Sequence, residues 1–518
     1  MRLFALLAAG LLSVPPASAG QVVSPRPDSV SVTVYHVEKA GRDRWDPLKF
    51  RTLDPEGGLA LITETRTIDV PAGPAVIELR GVASTIVPQT AQIDGLPVGV
   101  LEQNFDYDLL SPGSLLAKSV GSSVRLVRTS RATGKEAEQR AIVRSAPNGT
   151  VLDIDGHIEA LGCSGLAERL VFDKVPEGLR DTPTLSIRTD APQGGRYVIR
   201  LSYIAVGINW AADYVARIRP DGKSLDLNAW VTVMNMGDTG FERAPLMVVA
   251  GKPETSGDDT PVATRPVEAN TKCWPTNIRW SRDIEMLLRS FPPPPPPPPP
   301  APMSALSLEA VTVTGFRAAE ELGDLKLYRM NQPTDMLARQ TKQVQLLDLQ
   351  NVPFKRIYVF DANEQTYGRG DSGEAPARAV LRLQNTKAGG IGVPLPAGTV
   401  SVSETDGERP PVLIGRDAID DLSVGLPAEI ALGSAMDVRV SWTTVDRSSV
   451  RGRKTGEIVI SNTKKVPVEF ELRIAGIEGI RIVSESRSHA TTPKGYVWAL
   501  SLGPGERQTL RIAIETDS

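Results

Sequence analysis

The stretch from Tyr197 to Gly251 constrains the fold of this chain more than any other. Apolar residues recur with period two at Tyr214, Ala216 and Ile218, and again at Leu225, Leu227, Ala229, Val231 and Val233. That is the pattern of two strands that each bury one face and wet the other. Between them Pro220-Asp221-Gly222-Lys223 supplies a turn: proline presets φ, aspartate bonds the backbone ahead of it, and glycine accepts positive φ. A hairpin follows, and a chain built around such a hairpin is a β protein.

Strand signatures continue on both sides. Before the hairpin stand Val30-Ser-Val-Thr-Val-Tyr35, Ala60-Leu-Ile-Thr-Glu-Thr-Arg-Thr-Ile-Asp-Val70, Ala75-Val-Ile-Glu-Leu79, Val124 to Val127 and Ala141 to Arg144. Ser111-Pro112 ahead of Leu115 and Leu116 predicts a short capped helix ending at Gly121, and residues 173–186 read as a connector. After it come Leu325-Lys-Leu-Tyr328, Lys342-Gln-Val-Gln-Leu-Leu347, Arg356-Ile-Tyr-Val-Phe360 and further strands to Ile514. A strand end of the form apolar, any, apolar, any, Asn recurs at Asn235, Asn385 and Asn462. Asparagine suits that place because it closes an Asx-turn, and the unequal spacing excludes tandem repeats of fixed period.

The address is written at the start. Arg2, an apolar run and Ala17-Ser18-Ala19 predict a cleaved secretory signal over residues 1–19, with a periplasmic or secreted destination. No cysteine follows the cleavage site, so no lipid anchor is indicated, and no later stretch is apolar enough for a transmembrane segment. The formal net charge of −3 gives no electrostatic reason to expect nucleic acid as a partner. Two cysteines in an exported chain predict a disulfide between Cys163 and Cys273.

Past Gly251 the composition changes. Residues 252–271 are rich in Pro, Thr, Asp and Glu, and 292–300 are nine consecutive prolines, which enter neither a ladder nor a helix. Ile278 to Phe291 between them has the spacing of a short amphipathic helix. The segment reads as a solvated spacer, with a docking role for a proline-reading partner as the alternative. The fold expectation is therefore all-β: successive antiparallel β-sandwich (Ig-like) domains with few short helices and a Pro-rich disordered loop. The expected division is a signal over 1–19, an N-terminal β domain over 20–190, a central β domain over 191–252 and 305–370 interrupted by the flexible Pro-rich loop 253–304, and a C-terminal β-sandwich over 371–518.

At Gly207-Ile-Asn-Trp-Ala-Ala-Asp-Tyr214, Asn235, Val249-Ala-Gly251, Glu321-Leu-Gly-Asp-Leu-Lys-Leu-Tyr328, Thr341-Lys-Gln-Val344, Asn385-Thr-Lys387 and Pro394-Leu-Pro-Ala-Gly398 the chain resembles a family of exported bacterial proteins. These carry a domain of unknown function and are labelled mucoidy-inhibitor-like; the resemblance spans residues 190–515. It implies an all-β exported protein and supplies neither an established activity nor catalytic residues. This chain departs from the longer relatives in having no sustained heptads, hence no coiled coil between its halves.

A search for chemistry assigns no catalytic, cofactor-binding or metal residue. His36, His157 and His489 stand singly, and no His-Glu-x-x-His or four-ligand zinc spacing is present. Lys454-Thr-Gly456 and Ser461-Asn-Thr-Lys464 mimic a penicillin-binding signature in reversed order and without its helix. Arg369-Gly-Asp371 is an adhesion tripeptide in a loop of glycine and charge, with nothing else to support adhesion. Trp210, Tyr214 and Trp230 either line an aromatic binding surface or fill a core. The resulting expectation is an exported, non-enzymatic protein that binds or organises cell-envelope components, its partner an envelope protein or polysaccharide. The alternative is an envelope hydrolase whose acidic site is assembled from different strands, with Asp213 as a candidate.

Overall fold

The computed structural model describes residues 20–36, 58–106, 110–130, 132–146, 149–161, 167–176, 178–251, 315–317, 319–362, 371–405, 410–447, 453–475 and 480–516. The all-β expectation holds: strands dominate, and one α-helix, Pro112–Lys118, occurs among the described residues. Ser111 caps that helix by accepting from Ser114 N at 3.1 Å, while Ser114 Oγ accepts from Ser111 N at 2.9 Å.

The hairpin forms as its pattern demands. Strands Ile208–Ile218 and Ser224–Asn235 pair antiparallel along their whole length, and the inward residues from Tyr214 to Val233 are buried. In the turn, Asp221 Oδ1 accepts from Lys223 N and Ser224 N at 2.9 and 3.0 Å, and Gly222 takes φ +64°. Upstream, Gly207 at φ +78° lets the chain leave strand Gly195–Val206 in one sheet and enter Ile208–Ile218 in another.

The strands before that switch form a two-layer sandwich, completed by three strands from beyond it. One layer has seven strands in the order Glu320–Leu322, Leu325–Arg329, Leu246–Ala250, Ser29–Tyr35, Leu59–Val70, Gly195–Val206 and Gln92–Asp94. The other has four, in the order Gly20–Ser24, Gly73–Arg80, Thr184–Ala191 and Glu102–Asp106. The expected connector 173–186 therefore ends in a strand, because Leu185 and Ile187 complete the inner face of this layer. Between Glu102–Asp106 and Thr184–Ala191 the chain makes a separate five-stranded sheet with its own small core of Leu116, Val124, Leu126, Ala141, Val143, Leu152 and Ile154.

After the switch, seven strands run side by side: Val412–Ile419, Gly398–Glu404, Ile208–Ile218, Ser224–Asn235, Gln340–Ala362, Asp371–Gln384 and Pro427–Arg447. The first and last of these come back together. Ala431 N donates to Asp417 Oδ2 at 2.7 Å, and a Cβ on Gly415 would stand 2.7 Å from Leu432 Cα. The strands so close into a barrel around Trp210, Tyr214, Val231, Leu347, Leu383, Val400 and Ile430. This core is continuous with that of the N-terminal sandwich, so one hydrophobic cluster serves strands on both sides of residue 190 and of the 252–314 segment. Among the described residues four strand pairings are parallel, so the sheets are mixed.

Strands Gln340–Ala362, Asp371–Gln384 and Pro427–Arg447 are long enough to run on past the barrel. Beyond register shifts at Pro376/Ala377 and Ala379/Val380 they join Arg453–Asn462, Val468–Ala475, Gly495–Leu502 and Arg507–Thr516 in a C-terminal sandwich. Its separate core holds Trp442, Phe470, Trp498 and Ile512. Cys163, Cys273, Arg369, Gly370, the proline run and residues 278–291 lie outside the described residues.

Candidate functional site

Period-two burial sorts the three singled-out aromatics by phase. Trp210 and Tyr214 fall in the inward phase of their strand and each is 1% exposed; Tyr214 donates to Pro396 O at 2.7 Å. Trp230 falls in the outward phase between Ala229 and Val231, and is 36% exposed. The sequence therefore contained the answer in the inward series Leu225 to Val233, which leaves position 230 facing out. An exposed tryptophan is the informative case, since a side chain of that size is ordinarily covered.

Cross-strand register builds the surface around it. Asp213, Trp230 and Gln345 form one row, with Thr399 beside Asp213 on the parallel strand. The next rows are Val215, Asn228 and Asp348, with Ser401 alongside, and Ala211, Thr232 and Gln343. A register shift opposite Trp230 leaves Leu346 as an extra residue, and Leu346 and Leu347 are buried in succession. Such a bulge bends its strand and re-aims the side chains facing it. Thr232 points outward yet is 8% exposed, because Asp213 and Gln343 enclose it: its hydroxyl donates to Asp213 Oδ2 at 2.8 Å and accepts from Gln343 Nε2 at 3.1 Å. Asp213 is thereby held in one orientation beside the indole. Its cross-strand neighbours, Trp230 and Thr399, carry no charge, and no salt bridge to Asp213 occurs among the described residues. The arrangement offers a flat aromatic ring with oriented amide, hydroxyl and carboxylate groups around it.

The other polar clusters explain structure rather than chemistry. In strand Leu59–Val70, Glu64 and Arg66 occupy inward positions in phase with Ile62 and Ile68 and are fully buried. Arg66 places its donors on Glu64 Oε2 (2.9 and 2.6 Å), on the carbonyl and hydroxyl of Ser24 (3.1 and 3.2 Å) and on Arg80 O (2.8 Å). Glu64 Oε1 accepts from Tyr203 at 2.6 Å, and Tyr203 Oη accepts from Ala83 N at 2.9 Å. Every donor of the guanidinium is satisfied, which is what allows it to sit in a core. The signal was two charges in the apolar phase of a strand. Where the barrel meets the C-terminal sandwich, Arg382 and Arg473 clasp Glu429 and Glu471. Burial alone would raise the Glu429 carboxyl, but the two guanidiniums outweigh it and push it down to about 2.

The histidines stay apart. His36 Nδ1 lies 3.1 Å from Trp210 O, His157 is exposed, and His489 Nδ1 lies 2.9 Å from Glu485 Oε2, which also accepts from Trp498 Nε1 at 2.9 Å. Among the described residues no group of three or more His, Cys, Asp and Glu could hold a metal ion, and no helix is long and apolar enough to cross a membrane. The penicillin-binding mimic is structural: Gly456 packs on the Trp442 ring, and Asn462 is a buried strand end. A small cleft of about 20 Å³, lined by Tyr328, Leu346, Leu347 and Pro394 among others, has room for about one water. Compared with models of known protein families the chain matches none, and the search of curated proteins returns no match either.

Proposed function

We propose that this is an exported, non-enzymatic β-protein that binds or organises components of the bacterial cell envelope, and that it does so through the outer face of the barrel around Trp230. The observation that carries the reading is the exposure of Trp230 within a row of oriented polar side chains while Trp210 and Tyr214 are buried. The export half rests on the apolar N-terminal run with Ala17-Ser18-Ala19. Kinship with the mucoidy-inhibitor-like proteins belongs to the same proposal and rests on the residues quoted above.

The test is co-sedimentation of the mature protein, recovered from the periplasmic or secreted fraction, with isolated cell envelopes. The expected result is an N-terminus near Gly20 and a pelleted fraction that Trp230→Ala abolishes. A cytoplasmic protein with Met1 intact, or pelleting that Trp230→Ala leaves unchanged, overturns it.

A further inference from the structure

We infer that the Trp230 face takes an uncharged polysaccharide, with the indole stacked on the C–H face of a pyranose ring and Asp213 accepting from its hydroxyls; this deepens the binding reading above and rests on it. The first argument is the shape of the apolar surface. On strands Ile208–Ile218 and Ser224–Asn235 the exposed large apolar side chains are Val215 and Trp230, diagonal neighbours across the pair. A standard protein interface closes over about 20–30 residues a side around a core depleted of charge, whereas the apolar strip here is one ring wide and bordered at once by a carboxylate, amides and hydroxyls. A sugar ring presents the matching pattern, an apolar C–H face with hydroxyls around its rim.

Charge complementarity narrows the class. Asp226 is spent on Arg219 Nη1 at 2.9 Å, but Asp213 and Asp348 face outward without an ion partner among the described residues. Carboxylates beside the indole disfavour an anionic group stacked there and accept hydrogen bonds from neutral hydroxyls, while the exposed Arg217 of the same face stands two rows farther along the strand. Pre-orientation adds to this. The Gln343 to Thr232 to Asp213 chain holds Oδ2 and leaves Asp213 Oδ1 without a partner among the described residues, so the acceptor loses little side-chain freedom on binding. The row from Thr399 through Asp213 and Trp230 to Gln345 crosses four strands, about 14 Å at about 4.8 Å per step, which accommodates more than one ring of a chain.

The experiment is affinity gel electrophoresis of the mature full-length protein in gels containing dextran or barley β-glucan as neutral probes and alginate as the anionic probe, followed by titration with tryptophan fluorescence. The expected result is retardation by at least one neutral glycan and not by alginate. Trp230→Ala should weaken the apparent Kd at least tenfold, Trp230→Phe less, and Asp213→Asn threefold or more, with circular dichroism and the urea midpoint of each variant showing that it folds. Three results overturn the inference: no retardation by either neutral glycan, retardation by alginate as strong as by a neutral glycan, or equal retardation of wild type and Trp230→Ala. If neither glycan binds while envelopes still pellet the protein through Trp230, the polysaccharide assignment falls and the envelope-binding reading stands. If envelopes do not pellet it, that reading falls by itself.

Discussion

Asn235 and Asn462 end their strands and Asn385 directly follows one; each side chain is buried and does the same work. The amide nitrogen donates to backbone carbonyls, of Thr239 and Leu337, of Val393 and Ser423, and of Val466, Leu502 and Gly503 respectively. The amide oxygen accepts from Gly237 N, Gly392 N and Lys464 N. Removing such a side chain strands buried carbonyls without donors, so Asn462→Ala should cost about 2–4 kcal/mol in urea unfolding. Asn462→Asp should be worse at neutral pH, since it sets a carboxylate against three carbonyl oxygens, and should recover part of the loss on acidification; equal stability of the two variants at all pH values would refute this account. A second residue-scale prediction concerns acid. The folded Glu429 carboxyl titrates at about 2, below the roughly 4.3 of an unfolded chain, so its contribution is complete above the unfolded value and fades as pH falls from about 4.3 toward 2. Urea midpoints should therefore show Glu429→Gln losing stability at pH 7 and differing progressively less from wild type below pH 4. The asparagines were legible because a strand-ending Asn has a short-range signature. Glu64 and Arg66 were not read as buried, although their phase showed it, because inward charge is intelligible only when its partners, Ser24, Arg80 and Tyr203, are known.

At the scale of elements, local pattern identified strands and their buried faces and left their partners open. The Ile208–Ile218 and Ser224–Asn235 pair was visible because a four-residue turn joins it. The parallel pairing of Ile208–Ile218 with Gly398–Glu404 joins residues nearly two hundred positions apart, and periodicity says nothing of such distances. One residue records it. A Cβ on Gly398 would stand 2.3 Å from Ala212 O and 2.8 Å from the Tyr214 ring, so the two backbones approach as closely as they do only because position 398 has no side chain. Gly398→Ala should push the strands apart and destabilise by about 1–3 kcal/mol, with amide exchange accelerating first in Gly398–Glu404. Exchange that stays slow there while the global midpoint falls would place the damage elsewhere. The candidate site has the same two-part legibility: hairpin phase turns Trp230 outward, but Gln343, Gln345 and Thr399 join it only through the non-local register.

For the whole molecule, the shared core decides what a cut does. Strand Leu246–Ala250 precedes the 252–314 segment and strand Leu325–Arg329 follows it, yet the two pair from Met247 with Arg329 to Ala250 with Lys326 in one sheet. The composition of residues 252–304 marks them as the preferred site of cleavage. Limited proteolysis should cut first there and yield two fragments that elute together in size exclusion and separate in denaturant. First cuts within 197–250, or fragments that part without denaturant, would contradict the shared core.

The three long strands that leave the barrel and enter the C-terminal sandwich have a mechanical consequence. Gln340–Ala362, Asp371–Gln384 and Pro427–Arg447 cross between the two bodies as hydrogen-bonded neighbours, where most multidomain chains cross by a single linker. Bending at that boundary requires breaking ladder bonds on adjacent strands together, so no soft hinge exists there. A pull applied to the C-terminal sandwich reaches the barrel wall as shear along paired strands. The Trp230 face, built on that same wall, is therefore stiffly coupled to the far end of the molecule, as a tie rod is to its anchor plate.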